Sequence, residues 1–303
     1  MKVSVLVPVY NGERHLAECL ETVLNQSIAD IEILISDNCS TDGTLDIIET
    51  FAARDHRIRW WQNPQNLGMT GNHNACLRQA RGEYIKYVHA DDKLLSPLAL
   101  QKMVAALDQY PGAVMVGVPE HHTSIKSKAI ALFNKAGVYD GKHVILTGLE
   151  HNCNPVGSPT LTMFRRAAAQ KGFDERFTSH LDTEMWCHLL EQGDYVFLSE
   201  ALATWRVHEH QHTTRFKTSG VKDYDHLRLM EIFYAKNWLR QKATARMLFI
   251  QIYYLQKHFG REAAPLTSVM MRQLTRRRYA WQWLKHKALR PMEKLARRFG
   301  IVV

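Results

Sequence analysis

The chain has 303 residues, of which 46% are hydrophobic and 23% charged, enough to bury a large core and too ordinary a balance for a disordered chain. Its formal net charge is +9, but between Arg272 and Arg298 ten Lys/Arg stand against one acid, Glu293, so the rest of the chain is formally neutral and nucleic acid is not the expected partner. Five widely spaced cysteines (Cys19, Cys39, Cys76, Cys153, Cys187) form no CxxC pair, which argues against a zinc ribbon or a disulfide framework and fits a reducing, cytoplasmic compartment.

Residues 1–90 alternate as βαβ units do. VSVLVPVY (3–10) is a continuous apolar strand, without the long apolar region and small-residue cleavage site of a signal peptide. Leu16, Cys19, Leu20, Val23 and Leu24 then recur at helical spacing, and IEILISDN (31–38) is a second strand. Leu45, Ile48 and Phe51 mark a second helix, with Ser40 or Thr41 as its predicted N-cap. IRWWQ (58–62) is a third strand, 70–80 a short helix and EYIKYVHA a fourth strand. The pattern predicts a doubly wound α/β sheet, parallel over this region and covered on both faces.

Ser96-Pro97 is a cap and first-turn proline for a helix over 98–108. Residues 120–160 give a weaker pattern, expected to be mixed loops and strands. Helical spacing returns at 182–192, YVFLSEALATWRVH (195–208) reads as strands, and the chain from about 221 onward reads as mostly helical. The most apolar run there, MLFIQIYYL (247–255), is too short to span a membrane.

In sheets of this type ligands bind beyond the carboxyl ends of the strands. Those ends carry Tyr10-Asn11-Gly12, Asp37-Asn38 and Asp91-Asp92. There is no GxGxxG and no GxxxxGK[ST] sequence, so a bound phosphate needs another source of neutralising charge. Adjacent carboxylates repel, and such a pair is kept when it is solvated, caps a helix or holds a cation. Ser96 already serves as the predicted cap of the next helix.

Five segments, taken in order and spacing, resemble the family 2 glycosyltransferases over roughly residues 1–215: VSVLVPVYNGERHLAECLETVLNQS, ISDNCSTDGT, NLGMTGNHNACLRQARGEYIKYVHADD, GFDERFTSHLDTEMWCHLLEQGDY and WRVHEHQHT. The resemblance implies a GT-A fold, with a nucleotide-binding half (about 1–118) and an acceptor-binding half (about 119–215), followed by a helical basic extension (216–303). It implies a nucleotide-sugar donor, a Mg²⁺ or Mn²⁺ ion, and inversion at the anomeric carbon. Asp91 matches the acid directed toward the ribose and Asp92 the one directed toward the metal, where a cation stabilises charge on the departing diphosphate.

His89 stands where many relatives have an aspartate. An imidazole removes one negative charge from the site, lowering the expected metal affinity, and contact with phosphate is the alternative role. Asp37 matches the acid that receives a nucleobase hydrogen bond, against an alternative role in an Asx turn; Asn38 replaces a frequent second aspartate. Pro8 and Tyr10 match the loop packing on the base, and Asn74 an asparagine near the nucleotide. Asp182 falls at the position of the general base, with Glu184 as competitor and helix capping as the structural alternative. Trp186 is expected in the core. Within Arg206-Val207-His208, His208 fits a metal- or diphosphate-proximal histidine, and Arg206 is a candidate diphosphate ligand; His208, His210 and His212 at strand spacing also permit an independent zinc site.

Near the end of the chain, Trp281, Leu284, Ala288, Met292, Leu295 and Phe299 form one apolar stripe, flanked by Lys285, Arg290, Lys294, Arg297 and Arg298 and interrupted by Pro291. Such a basic amphipathic segment, 272–299 as a whole, predicts peripheral attachment to an anionic membrane on its inner face, near a glycan or lipid-linked acceptor. Docking on its own domain is the alternative. Because of His89 and Asn38, a catalytically degenerate binding or scaffold protein remains a second functional reading, and a metal-dependent nucleotide phosphodiesterase a third; product analysis with and without acceptor separates them.

Overall fold

The computed structural model describes residues 1–119, 133, 135–206 and 221–276. The chain divides into two compact units. Met1–Gly148 with Cys153–Leu229 form the first, and Leu149–Asn152 with the chain from Met230 onward the second.

The first unit is built on strands whose sequence leaves them no solvent face. β1 (Val3–Val9) and β2 (Ile31–Asp37) are buried at every position, as expected of parallel strands covered on both sides. They alternate with α1 (Leu16–Leu24) and α2 (Thr44–Arg54), followed by β3 (Ile58–Gln62), α3 (Gly68–Gln79) and β4 (Tyr84–Tyr87). β1 pairs in parallel with β2 and β4, and β2 with β3. Apolar residues on one face of α1 (Leu16, Cys19, Leu20, Val23) meet those of the strands in a common core. Gly82, before β4, allows a close crossing: a Cβ there would lie 2.4 Å from the Ser4 amide nitrogen.

After β4 come β5 (Lys93–Leu94), α4 (Ala99–Gln109), β6 (Ala113–Gly117), β7 (Gly137–Tyr139), α5 (Gly141–His151), β8 (Thr162–Arg165), α6 (Leu181–Leu190), β9 (Asp194–Phe197) and β10 (Ala203–Thr204). Among the described residues the main sheet has eight strands in the order β3-β2-β1-β4-β8-β6-β9-β7. β8 enters antiparallel to both β4 and β6, so the sheet is mixed, and the parallel pattern is confined to the first four strands and the β6–β9 pair. β5 and β10 form a separate antiparallel ribbon.

Local expectations fail where loop chemistry decides. The cap position of α2 is Gly43, not Ser40 or Thr41. Asp42 Oδ1 takes over the capping role, accepting from Thr44 N at 3.1 Å and Thr44 Oγ1 at 2.5 Å. α4 begins after Leu98, and Ser96 Oγ accepts from Leu98 N at 3.2 Å. The stretch 120–160, expected as loops and strands, contains the eleven-residue helix α5.

Helix α7 (Val221–Tyr234) follows, and then α8 (Asn237–Lys242), α9 (Ala245–Phe259) and α10 (Ala264–Arg276) in the second unit. Thr244 caps α9, its hydroxyl accepting from Met247 N at 3.1 Å. Met247, Leu248, Ile252 and Leu255 of α9 and Met270 and Leu274 of α10 are buried. Among the described residues no helix is long and apolar enough to cross a membrane. The basic stripe 281–299 lies outside the described residues, as do His208, His210 and His212.

Candidate active site

The parallel pairing of β1 and β4 runs one residue past the strand, with Val88 N donating to Leu6 O at 2.9 Å. The chain then turns, and Asp92 N donates to His89 O at 2.9 Å. This turn delivers His89, Asp91 and Asp92 to the carboxyl edge of the sheet. One ligand atom from each of the three lies within 4.8 Å of the others.

Asp92 is the buried member, 2% exposed. Its Oδ1 accepts from Arg206 N at 2.9 Å and its Oδ2 from Thr160 Oγ1 at 2.5 Å. Thr160, on a 3₁₀ turn over Pro159–Leu161 that leads into β8, also accepts from His89 N at 3.1 Å. Burial first, and then the Asp91 charge, push the Asp92 carboxyl well above the usual carboxylate range. Two carboxylates and an imidazole form a donor set suited to a divalent cation, which would offset both causes. His89, Asp91 and Asp92 therefore fit the ion that the family resemblance implies.

Cations of the protein itself surround this pair. Arg206 Nε donates to Asp91 O at 2.9 Å, and its guanidinium pairs with Glu18 at 2.5 Å. Lys86, fully buried on β4, donates to the carbonyls of Thr160 and Thr162. Burial pulls its ammonium down to about 7, against the opposing pull of Asp92.

Two strands away across the sheet, at the end of β2, Asp37 is fully buried. Its Oδ2 accepts from Ser40 N at 3.1 Å and from Gln62 Nε2 at 3.0 Å. Oδ1 is buried without a hydrogen-bond partner among the described residues, a costly arrangement unless a ligand donates there. The Ser40 bond is an Asx-type turn, so the structural and the ligand roles use different oxygens of one carboxylate. Tyr10, at the end of β1, is 42% exposed and presents an aromatic face, while Pro8 is buried within the strand.

Two asparagines serve the scaffold. Asn38 Oδ1 accepts from Leu67 N at 2.9 Å and Asn63 Nδ2 at 3.2 Å, and its Nδ2 donates to Asn66 Oδ1 at 2.9 Å. Asn74 is buried, with Oδ1 accepting from Phe173 N at 2.8 Å and Nδ2 donating to Phe173 O at 2.9 Å. Its amide is thus committed to the backbone of the Gly172–Phe173 loop.

Asp182 lies in the first turn of α6, one residue inside the helix, whose cap position is His180. Oδ1 accepts from Thr183 N at 2.6 Å and Oδ2 from Asn154 Nδ2 at 3.0 Å. Burial, outweighing these bonds, raises its carboxyl to about 6. Glu184 is 2% exposed and ion-paired to Lys171 at 2.5 Å. Trp186 is fully buried, its Nε1 donating to Gly157 O at 2.8 Å. Residues 154–160 therefore touch both acids, through Asn154 to Asp182 and through Thr160 to Asp92.

Sequence reading missed three residues at this edge: Thr160, Lys86 and His73. His73 Nε2 lies 3.0 Å from His89 Nε2. The one available signal for it was its position in NHNACL, beside Asn74.

Beyond the carboxyl ends of two parallel strands of a mixed α/β sheet the chain thus places a cluster of two acids and an imidazole that could hold a cation, and a buried acceptor without a hydrogen-bond partner among the described residues. Residues 4–173 match the family model described as Glycosyl transferase family 2, and the chain belongs to that family. EpsE of Bacillus subtilis (strain 168), named as a glycosyltransferase, is 34% identical over 200 residues, which are 63% of this chain and 68% of EpsE. Among solved structures, TarS of S. aureus in complex with UDP-GlcNAc superposes with TM-score 0.64 at 20% identity, covering 90% of this chain and 88% of that one. The mannosyltransferase PcManGT of Pyrobaculum calidifontis, in complex with GDP-Man and Mn²⁺, gives 0.62 at 15% identity, covering 95% and 84%. The GT-A fold expected from the sequence is thereby borne out, and the chain is a glycosyltransferase.

Proposed function

We propose that this enzyme transfers a sugar, with inversion, from a nucleoside-diphosphate donor to a hydroxyl of a glycan or lipid-linked acceptor. The observation that carries the reading is the pairing of an orphaned Asp37 oxygen at the end of β2 with the His89–Asp91–Asp92 turn after β4. β1 lies between these strands, so the two sites are about 10 Å apart across the sheet, a span suited to one nucleoside diphosphate.

Asp37 Oδ1 accepts from the base, which selects a ring N–H such as that of uracil, thymine or guanine over the bare ring nitrogen of cytosine. Tyr10 supplies a stacking face. His89, Asp91 and Asp92 would hold a divalent ion, which would supply Lewis-acid stabilisation of the diphosphate charge, in keeping with the Mn²⁺ in the PcManGT complex. Asp91 is suited to the ribose and Arg206 to the diphosphate edge, with His208 a candidate beside the ion.

Asp182 takes the proton from the acceptor hydroxyl as the hydroxyl attacks the anomeric carbon from the face opposite the diphosphate. A carboxyl raised to about 6 is ionised at neutral pH yet more basic than an ordinary aspartate. Glu184, already neutralised by Lys171, is the poorer candidate. The basic segment 272–299 holds the enzyme on an anionic inner membrane face, close to a lipid-linked acceptor.

The test is the anomeric configuration of the product, read by NMR from one turnover, together with Asp182→Asn. Inverted product, with transfer lowered by about 10²–10⁴-fold in the variant and nucleotide affinity nearly intact, is expected. Retained configuration contradicts direct displacement, and equal loss of binding and transfer contradicts the role of Asp182.

A further inference from the structure

This chain places an imidazole, His89, in the turn with Asp91 and Asp92, and a second histidine stands behind it. His73 Nδ1 lies 2.8 Å from Met69 O. A carbonyl only accepts, so His73 carries its proton on Nδ1, and in the neutral ring Nε2 is an acceptor. Nε2 faces His89 Nε2 at 3.0 Å, so that proton belongs to His89 Nε2. The neutral His89 ring then has its lone pair on Nδ1.

That nitrogen faces the acids. His89 Nδ1 is 3.7 Å from Asp92 Oδ2, too long for a hydrogen bond. It is of the order of the separation between neighbouring ligand atoms around one ion with bonds of about 2.0–2.6 Å. The far side of the relay is rigid: His73 is buried, stacks on Tyr87 with centroids 5.1 Å apart and meets Phe173 edge-on at 5.4 Å.

Resting on the metal-assisted reading above, we infer that His89 Nδ1 is a direct metal ligand, held in that tautomer by His73 and the Met69 carbonyl. The site is then a mixed nitrogen–oxygen one. An imidazole donor favours first-row transition ions over Mg²⁺, which prefers oxygen and retains water. His73 is a positioning residue, one step removed from the ion. Orientation of a ligating histidine through its second ring nitrogen is the usual way such sites are fixed.

The test uses pulsed EPR of Mn²⁺ with UDP on the full-length protein carrying ¹⁵N-histidine, alongside titrations of Mn²⁺ and Mg²⁺. Wild type is expected to show a histidine nitrogen coupling. The coupling should vanish in His89→Asp while Mn²⁺ still binds, and persist in His208→Asn. His73→Phe, which keeps the aromatic packing, should weaken Mn²⁺ binding by roughly ten- to a hundredfold. Bound Mn²⁺ without nitrogen coupling, coupling that survives His89→Asp, or unchanged Mn²⁺ affinity in His73→Phe overturns the inference. Absence of Mn²⁺ binding altogether contradicts the metal-assisted reading itself.

Discussion

Thr160 Oγ1 donates to Asp92 Oδ2 across 2.5 Å, although the two residues are 68 positions apart in the chain. The same hydroxyl oxygen accepts from His89 N, so one side chain braces both ends of the turn that carries the candidate metal ligands.

Removing that hydroxyl should therefore disturb the turn from both sides. Thr160→Val keeps the shape but leaves His89 N and a buried carboxylate oxygen short of a partner, at a cost of about 1–3 kcal/mol. Urea denaturation of wild type, Thr160→Val and Thr160→Ser measures it. Near wild-type stability is expected for the serine variant alone.

Lys86 gives a second expectation, through pH. Burial pulls its ammonium down to about 7, below the 10.5 of a solvated lysine, so between these values the unfolded chain holds more protons than the folded one. Stability should then rise with pH across roughly pH 7 to 10.5 on account of this group. Denaturation midpoints at pH 7, 8 and 9 should climb less in Lys86→Met than in wild type. Equal slopes would show that the Lys86 ammonium is not desolvated.

For Asp182 the signs for activity and stability oppose each other. The carboxyl must be ionised to accept a proton, so single-turnover transfer should fall as pH drops through about 6. The same raised pKa means that the folded chain binds more protons than the unfolded one between about 4 and 6, so this group makes the fold more stable as pH falls there. Asp182→Asn should remove both dependences and lower transfer by about 10²–10⁴-fold. A pH profile that remains unchanged in the variant assigns the inflection to another group.

Much of the chain up to β4 is legible because its physics is local. The runs 3–9 and 31–37 are mostly apolar because both faces of these strands are covered, and the strand tips carry Asp37, Asp91 and Asp92 at the carboxyl edge of the sheet. Helix α5 is not legible in the weak pattern over 120–160: it begins at Gly141, where a Cβ would lie 2.1 Å from the carbonyl oxygens of Leu190 and Gly193. That glycine is required by a tertiary approach no local pattern displays. The pairing of Thr160 with Asp92 is hidden for a similar reason, since it depends on β8 entering antiparallel beside β4. Asn74 and His73 show the limit of adjacency on a helix: neighbours in sequence point about 100° apart, one into the Phe173 loop and the other toward His89.

Asp37→Asn probes the base site independently of the metal. An amide in that pocket sets a donor either against Ser40 N and Gln62 or against the base N–H. UDP affinity should fall by about 1–3 kcal/mol, with Mn²⁺ binding in the absence of nucleotide unchanged. Undiminished UDP binding would return Asp37 to a purely structural role in its turn.

The most direct measurement is calorimetric titration of UDP, GDP and dTDP, each with Mn²⁺ or with EDTA, into wild type and Asp92→Asn. Metal-dependent binding of one nucleotide, lost in the variant, is predicted and would also identify the donor class. Nucleotide binding indifferent to EDTA and to Asp92→Asn would contradict a cation held between these acids and the donor diphosphate.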